Sequence, residues 1–321
     1  MEYVNLGKTG LKVSQICLGT AFRGQWDDDI CSKTISCALD NGINFIDTSN
    51  VYGENRVGHA EKVLGKTLKG KRDKVVIATK IFHPVGSDPN DRGLSKVHLM
   101  REIENSLRRL QTDYIDILMF HEPDKNIPLE ESLRAADNIV KQGKTRYIGL
   151  SRFSAWQASE TSRLSERYHY EPVSVMQNRY NLIHREAEIE LLPFLKKSSL
   201  GLMVYSPLCV GLLSGRFKRG EPSPADTPWG QGYKGIDLLL TKEIDIAIDE
   251  LRKIAKKREK TPAQVAIAWI LSHPEVTSVI IGPDTPEQVK DNIGASGWKL
   301  TAEERKILDD LSAPLWAKRR F

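Results

Sequence analysis

The amino-acid sequence predicts an α/β protein in which eight parallel strands close into a (β/α)8 TIM barrel. Short apolar segments of β-prone residues recur along the 321 residues, and amphipathic segments of helical length lie between them. The first seven strand-like segments begin about 25 to 40 residues apart, which is the size of a βα unit. Eight strands that alternate with helices favour a closed barrel over an open doubly wound sheet.

Each predicted strand is a short apolar run, and the helices between strands show a 3.6-residue period. In chain order the predicted strands are Gln15–Leu18, Asn44–Asp47, Val75–Thr79, Ile115–Phe120, Tyr147–Leu150, Val175–Gln177, Leu202–Tyr205 and Ser278–Ile281. The segment Val97–Leu110 repeats apolar residues at helical spacing, and Leu129–Gln142 is predicted to be a helix that Gly143 ends.

Two segments depart from the regular alternation. Before the first strand, Tyr3–Leu6 and Leu11–Val13 flank Gly7-Lys8-Thr9-Gly10, a pattern that predicts a β-hairpin. We expect this hairpin to close the bottom of the barrel. Between the seventh and eighth strands, a Gly- and Pro-rich segment extends from Gly211 to about Leu240. Connections of this length within a compact domain are usually functional or mobile, so we expect this long segment to cover a bound ligand.

The composition is that of a soluble globular protein, with 40% hydrophobic and 28% charged residues. No linker divides the chain, so we expect residues 1–321 to form a single domain. No apolar run approaches the roughly 20 residues of a membrane span. Residues Met1–Gly7 lack the basic and apolar parts of a signal peptide. We therefore expect a cytoplasmic protein without a membrane partner.

Neither the charges nor the cysteines indicate another class of protein. The formal charge is +5, and basic residues cluster only at Lys253–Lys260 and Lys318–Arg320. Without a nucleic-acid-binding motif, such clusters are typical of solvated helix faces, so we expect no nucleic-acid partner. The four cysteines form no C-x-x-C pair and predict neither a metal site nor a disulfide.

Four residues carry the chemical prediction: Asp47, Tyr52, Lys80 and His121, each at or just past the end of a predicted strand. The carboxyl ends of the strands of a parallel barrel form one shared mouth, so these side chains are expected to meet there. Singly, Asp47 could cap a helix and His121 could be a buried structural histidine. Together they provide an acid, its ammonium partner, an orienting carboxylate and an imidazole, which indicates proton transfer at a carbonyl oxygen.

Three local motifs are misleading. Residues Gly230–Gly235 satisfy G-x-G-x-x-G, but the Pro-rich segment Glu221–Trp229 before them cannot be the buried strand that a dinucleotide-binding fingerprint requires. Gly65-Lys66-Thr67 resembles the end of a P-loop, although Ala60 stands where its first glycine belongs. His121-Glu122-Pro123-Asp124 lacks the H-E-x-x-H pattern, so we predict no metal site.

Several segments, taken in order, resemble the aldo-keto reductase family. They are Phe45–Gly53, Ala78–Lys80, Met119–His121, Ile148–Phe153, Gln177–Asn181, Tyr205–Leu208, Gly211–Gly215 and Gly282–Asn292. The resemblance covers nearly the whole chain. Many members of the family carry asparagine where this chain has Arg152, and an arginine there resembles the branch that contains bacterial aldo/keto reductases and potassium-channel β subunits.

The resemblance implies an enzyme that moves hydride between a nicotinamide cofactor and a carbonyl or alcohol, acting on an aldehyde, ketone or sugar. Tyr52 would be the general acid and base. A nearby Lys80 ammonium would favour the phenolate and make Tyr52 a better acid, while Asp47 would hold Lys80 in place. His121 would donate a hydrogen bond to the substrate carbonyl. The alternative is a redox-sensing regulatory subunit that binds the cofactor, like the channel β subunits.

The resemblance also implies a set of cofactor-binding positions. Ser151, Arg152 and Gln177 would hold the nicotinamide carboxamide, Tyr205 would stack on the ring, and Arg216 would pair with the pyrophosphate. The full set is Gly19, Thr20, Asp47, Ser151, Arg152, Gln177, Tyr205, Ser206, Pro207, Leu208, Gly211, Ser214, Arg216, Gly282, Asp284 and, at the adenine, Gln288 and Asn292.

The type of nicotinamide cofactor depends on the ribose end. NADP(H) is the default of the family, whose members usually offer Lys or Arg to the 2′-phosphate at positions matching Gly282, Asp284 or Gln288. None of the three is cationic here. The Asp284 carboxylate would repel a 2′-phosphate and could accept a hydrogen bond from the 2′-hydroxyl of NAD(H). Asp284 could instead cap a helix that begins at Thr285. We predict use of both cofactors with a lean to NAD(H).

Aromatic residues are the candidates for substrate contacts. Phe22, Trp26 and Phe82 follow predicted strands, and Trp229 lies in the long segment. Together with Tyr52 and His121, they could stack on a sugar or a ring-bearing carbonyl compound. The equally favoured alternative is that these aromatic residues pack the loops.

Overall fold

The computed structural model describes residues 1–22, 26–53 and 56–313. The basic cluster Lys318–Arg320 lies outside the described residues. The chain begins with an antiparallel hairpin of β1 (Tyr3–Asn5) and β2 (Lys12–Ser14), as the sequence predicts. These two strands form a small sheet of their own, separate from the barrel.

Eight parallel strands form a closed barrel, which confirms the predicted fold. The strands are β3 (Ile16–Gly19), β4 (Phe45–Asp47), β5 (Val76–Ile81), β6 (Ile115–Phe120), β7 (Thr145–Ser151), β8 (Val173–Arg179), β9 (Gly201–Tyr205) and β10 (Ser278–Ile281). Each strand pairs with the next, and β10 pairs with β3 to close the barrel. All eight predicted strands are present, with ends that differ by at most two residues.

Helices connect successive strands and cover the outside of the barrel. The α-helices in the described part of the chain are α1 (Asp28–Asp40), α2 (His59–Thr67), α3 (Lys96–Leu110), α4 (Leu129–Lys141), α5 (Ala155–Tyr168), α6 (Leu191–Ser198), α7 (Ile236–Leu239), α8 (Lys242–Arg258), α9 (Pro262–Leu271), α10 (Pro286–Ile293) and α11 (Ala302–Leu311). None of these helices is both long and apolar enough to cross a bilayer.

The core has two layers. Apolar side chains between the strands and the surrounding helices form the larger one. The smaller one fills the barrel interior with residues such as Phe45, Met119 and Met203, and the hairpin residues Leu6 and Val13 pack against it. Both hairpin side chains are fully buried. The hairpin therefore seals one end of the barrel and, among the described residues, leaves the end formed by the carboxyl ends of the strands open to ligands.

The long segment folds into turns and short helices rather than into a further strand. It includes a 3-10 helix at Leu212–Ser214 and ends at α7. Trp229 is buried, and its indole Nε1 donates a hydrogen bond to the Val210 carbonyl at 2.9 Å. Residues 230–235 lie in turns, and no strand of the described chain leads into them, as expected from the Pro-rich sequence.

The Gly7 backbone gives a direct test of the hairpin seal. Gly7 has φ +56°, and a Cβ there would lie 2.6 Å from the Gly201 nitrogen and 2.9 Å from the carbonyl oxygens of Ser174 and Ser199. We expect Gly7→Ala to lower the free energy of unfolding by about 2 kcal/mol or more, because a left-handed conformation and backbone overlap add together. Urea unfolding measures this change. Gly10→Ala in the same turn is the matched control, since a Cβ at Gly10 meets no atom within 4 Å. If both substitutions lowered the free energy of unfolding equally, the close packing of the hairpin turn against the end of the barrel would be contradicted.

Candidate active site

The four residues predicted to meet at the mouth do lie together there. Asp47 is the last residue of β4, Lys80 lies near the end of β5, and His121 directly follows β6. Tyr52 lies in the loop after β4. The Lys80 Nζ is 4.8 Å from the centroid of the Tyr52 ring, and the centroids of the Tyr52 and His121 rings are 6.0 Å apart.

A buried ion pair joins Lys80 to Asp47. Lys80 Nζ donates to Asp47 Oδ2 at 2.7 Å and to the Thr48 carbonyl at 2.6 Å, and the Lys80 side chain has no exposed surface. The other carboxylate oxygen, Oδ1, accepts a hydrogen bond from Gln177 Nε2 at 2.7 Å. Asp47 therefore links side chains from β4, β5 and β8 across the interior of the barrel mouth.

The surroundings keep Lys80 charged. Burial alone lowers the pKa of an ammonium, but the Asp47 carboxylate and the Tyr52 phenol outweigh burial, so the pKa of Lys80 is raised above its ordinary value. Because Lys80 stays protonated, the Tyr52 ring lies beside a permanent positive charge in a site largely closed to water.

His121 is held as a neutral imidazole. Burial lowers the pKa of His121 far below its ordinary range, and the positive charge of Lys80 lowers it further. His121 Nδ1 lies 3.3 Å from the Ser49 hydroxyl oxygen. When that hydroxyl donates to Nδ1, the proton of the ring is on Nε2, which can then donate to an oxygen in the mouth.

A buried charged network lies behind the loop that carries Tyr52. Glu61 Oε1 accepts from the Thr79 hydroxyl at 2.5 Å, and its Oε2 accepts from Arg109 Nε at 2.6 Å. Glu102 accepts from the Asn50 amide at 3.0 Å. Arg109 also reaches Glu102 at 3.4 Å. The network thus ties the residue before Lys80 to the loop before Tyr52. The sequence analysis did not identify it.

A cleft of about 410 Å³ extends from the four residues across the mouth. In the described part of the chain it is lined by every predicted cofactor position except Thr20. Thr20 is buried, and its backbone N and hydroxyl lie 2.9 Å and 3.2 Å from the Asp47 carbonyl, to which both donate. Thr20 therefore helps to hold the backbone of Asp47 in place. The cleft also includes Asp226 and Asp291, which the sequence analysis missed.

The far wall of the cleft suits an anionic group such as a pyrophosphate. The Ser214 hydroxyl is buried and has no hydrogen-bond partner among the described residues, so it is available to a bound ligand. Gly211 has φ +83°, and a Cβ at Gly211 or Gly282 would meet open space. Ligand atoms can therefore approach the backbone there, as they do in anion-binding loops.

Arg216 lines the cleft, but its guanidinium is already bound by a residue of the long segment. Arg216 Nη2 lies 2.6 Å and 2.8 Å from the two carboxylate oxygens of Asp226. Because Arg216 and Asp226 both belong to the long segment, the pairing joins two parts of that segment beside the cleft. The position of Arg216 thus agrees with the prediction, while its pairing with Asp226 was not foreseen.

Of the two interpretations of Asp284, the one that makes it a helix cap is wrong. The N-cap of α10 is Thr285, whose side chain accepts a hydrogen bond from the Gln288 backbone N. The Asp284 backbone N instead donates to Gln288 Oε1 at 2.8 Å. Asp284 lies in the lining of the cleft. Its carboxylate therefore does not serve as the helix cap, because the residue after it already does.

Of the aromatic residues predicted to contact substrate, Phe22 lines the cleft, whereas Trp26, Phe82 and Trp229 are absent from the lining in the described chain. Trp229 packs the long segment through its contact with Val210. For Trp229 the structure therefore favours the alternative that these aromatic residues pack the loops.

Comparison with known proteins identifies the class. The family model described as "Aldo/keto reductase family" matches residues 15–313. The chain therefore belongs to the aldo/keto reductase family. It is similar to the "Uncharacterized oxidoreductase YrpG" of Bacillus subtilis (strain 168), with 37% identity over 97% of this chain and 96% of that protein. It is also similar to a "Probable voltage-gated potassium channel subunit beta" of Arabidopsis thaliana, with 36% identity over 92% of this chain and 91% of that protein. The family and the oxidoreductase relative support NAD(P)-dependent oxidoreduction in general.

The neutral state of His121 predicts a pH-dependent stability. Its folded pKa is lowered, so unfolding allows the imidazole to bind a proton below the ordinary pKa of 6.5, and stability is lost as the pH falls through that value. Between pH 7 and pH 5, proton uptake by the unfolded chain lowers the free energy of unfolding by about 2 kcal/mol. His121→Gln has no imidazole at this position. Between pH 7 and pH 5 its free energy of unfolding should therefore fall by about 2 kcal/mol less than that of the wild type. Urea unfolding at both pH values measures this difference. The control is His169→Gln, at the exposed end of α5, which should keep the pH dependence of the wild type. An identical pH dependence in wild type and His121→Gln would contradict a neutral His121.

Proposed function

We propose that this protein is an NAD(P)-dependent oxidoreductase that transfers hydride between a nicotinamide cofactor and a carbonyl compound or alcohol, with Tyr52 as general acid and base. The observation that carries the proposal is the buried Lys80 ammonium, which lies between the Asp47 carboxylate and the Tyr52 ring. We further propose that residues 1–321 form one domain, and that the protein acts in the cytoplasm on a small-molecule carbonyl or sugar.

The proton chemistry follows from the charges around Tyr52. A carbonyl oxygen gains negative charge as its carbon is reduced, and that charge needs a proton. The phenol of Tyr52 can supply it, because the Lys80 ammonium stabilises the phenolate that is left. In the direction of alcohol oxidation, the same phenolate accepts the hydroxyl proton. Asp47 keeps Lys80 fixed and charged in both directions.

His121 has a different task, which is to orient the carbonyl. A neutral imidazole that carries its proton on Nε2 donates one hydrogen bond without bringing a second positive charge into the site. Its ring stands edge-on to Tyr52, at an interplanar angle of 79°. A carbonyl oxygen between the two rings would receive the hydrogen bond of His121 and the proton of Tyr52 from different directions.

The cofactor would supply or accept the hydride when it is bound in the cleft. Tyr205 and Gln177 line the cleft beside the catalytic residues and would hold the nicotinamide end. The buried Ser214 hydroxyl would donate to the pyrophosphate. At the other end Asp284 and Gln288 would face the adenosine ribose. We propose that both NAD(H) and NADP(H) bind, with a lean to NAD(H), because the Asp284 carboxylate disfavours a 2′-phosphate.

A second candidate function is that of a redox-sensing regulatory subunit. The similarity to a probable voltage-gated potassium channel subunit beta favours it. Such a subunit would need the same four residues, so the site alone does not separate the two functions. Steady-state turnover does, because a sensor completes few cycles, whereas an enzyme turns over its substrate continuously.

The role of Tyr52 can be tested by removing only its hydroxyl. We expect Tyr52→Phe to lower kcat for carbonyl reduction by about 10²–10⁴-fold, since the general acid is lost. Cofactor oxidation followed by absorbance measures the rate, and cofactor fluorescence titration should show binding within about twofold of wild type, a change of under 0.5 kcal/mol. Tyr168→Phe, at the exposed end of α5, is the control and should leave kcat unchanged. Undiminished turnover in Tyr52→Phe would refute the assignment.

The predicted preference for NAD(H) over NADP(H) can be tested at Asp284. We expect the wild type to bind NADH at least as tightly as NADPH, and Asp284→Arg to tighten NADPH by roughly tenfold, because a repulsive charge is replaced by an attractive one. NADH affinity should change little. Kd values for both cofactors, titrated at fixed ionic strength, decide the matter. A wild-type protein that binds NADPH much more tightly than NADH would contradict the predicted preference for NAD(H).

A further inference from the structure

Three polar residues stand side by side at the mouth, outside the four catalytic positions. His83, Glu122 and Arg152 each lie within two residues of the end of a strand, after β5, β6 and β7 respectively. Because β5, β6 and β7 are neighbours in the barrel, these residues form a continuous row, which we call the polar arc. The arc adjoins His121, on the β5–β7 side of the mouth.

The members of the polar arc are bonded to one another. His83 Nε2 lies 3.5 Å from Glu122 Oε1, and Arg152 Nη1 donates a hydrogen bond to the same oxygen. Glu122 is thus shared between an imidazole and a guanidinium. The side chains of His83, Glu122 and Arg152 are 33%, 28% and 45% exposed, so a molecule entering the mouth can reach all three.

The arc touches the catalytic site through His83. The centroids of the His83 and His121 rings are 4.5 Å apart, with an interplanar angle of 71°. The arc is thus within reach of a substituent on the carbon next to a carbonyl that is bound at His121. Arg152 also lines the cleft, so it stands where the cofactor side and the substrate side meet.

The backbone of Arg152 is held in an unfavourable conformation. Its φ is +62°, a left-handed value that only glycine adopts freely, and its N donates to the Gln177 carbonyl at 2.9 Å. Strained residues of this kind cluster at functional sites, where the surrounding structure maintains them. Here the conformation accompanies a guanidinium that meets Glu122 at the mouth.

The arc is polar but carries no net charge near neutral pH. The Glu122 carboxylate and the Arg152 guanidinium cancel. Burial lowers the pKa of His83, and the opposing effect of Glu122 does not reverse the shift, so its imidazole is neutral. An anionic substrate would therefore gain little overall attraction. A plain alkyl chain would displace water from the ion pair without replacing its hydrogen bonds. A neutral hydroxyl, as donor and acceptor, suits the arc best.

We propose that the polar arc binds a hydroxyl group on the carbon next to the reacting carbonyl, so that the preferred substrates are neutral α-hydroxy carbonyl compounds. The inference rests on the proposed oxidoreductase function. Glu122 would accept the hydrogen bond of that hydroxyl, and His83 or Arg152 would donate one to its oxygen. These are specificity contacts, and the proton transfer itself stays with Tyr52.

The test compares carbonyl compounds that differ at one position. Lactaldehyde and propanal differ only by the adjacent hydroxyl, and glyoxylate supplies an anionic aldehyde. With NADH or NADPH in excess, we expect kcat/KM for lactaldehyde to exceed that for propanal by about tenfold or more, the effect of one or two hydrogen bonds. Glu122→Gln and His83→Phe should each reduce this ratio severalfold or more, mainly by lowering the value for lactaldehyde.

Matched controls separate specificity from general damage. Glu160→Gln removes a carboxylate from an exposed ion pair with Arg163 on α5 and should leave the ratio unchanged. Propanal turnover within about threefold of wild type in Glu122→Gln would show that the catalytic site is intact.

Two kinds of failure are distinguishable. Equal kcat/KM for lactaldehyde and propanal in the wild type, a ratio unaffected by both arc substitutions, or a clear preference for glyoxylate would each overturn the arc proposal while leaving an oxidoreductase. No cofactor oxidation with any of the three compounds, nor with a wider panel of aldehydes, ketones and sugars, would overturn the proposed function, and the arc proposal would fall with it.

Discussion

The buried ion pair between Lys80 and Asp47 is the constraint on which the mouth of the barrel depends. An ammonium without exposed surface needs a counter-charge and hydrogen-bond acceptors; here Asp47 Oδ2 supplies the charge and, with the Thr48 carbonyl, accepts from two of the three donors. The second oxygen of Asp47 binds Gln177, so one carboxylate fixes side chains from three strands. Because the hairpin seals the opposite end, this polar cluster lies against a solid apolar interior rather than a channel.

The mouth is divided by function around this pair. On one side, residues in and after β8, β9 and β10 form much of the cleft, whose wall offers open glycine backbone and a buried hydroxyl that has no partner among the described residues. On the other side, β5, β6 and β7 end in the polar arc, whose charges cancel. The proposed catalytic residues lie between the cleft and the polar arc. Under the proposed function, a large cofactor and a small carbonyl compound would approach the proposed catalytic residues from different sides and meet at Arg152, which lines the cleft and also belongs to the polar arc.

The sequence predicts the barrel well because its strands are apolar runs at regular spacing, but it misplaces their ends. The strand β8 extends two residues beyond Val175–Gln177 at each end, since the polar residues Ser174 and Asn178 interrupt the apolar run yet stay in the strand. The catalytic positions are predictable because they follow strands. The charged network of Glu61, Arg109 and Glu102 is not, because each member resembles an ordinary helix charge and only tertiary packing brings them together. The orientation of the Trp229 side chain likewise cannot be predicted from the Pro-rich sequence around it.

The closure of the barrel by β10 and β3 has a consequence for synthesis of the protein. Ile16 pairs with Val279, so one edge of the first barrel strand has no partner until β10 has been synthesised. Open apolar strand edges invite association with other chains, and such distant pairings form slowly. Asp284 and Gln288, which line the cleft, follow β10 along the chain. The wall of the cleft that Asp284 and Gln288 provide therefore forms only in the step that pairs the last open strand edge, so completion of the cleft coincides with loss of the aggregation-prone edge.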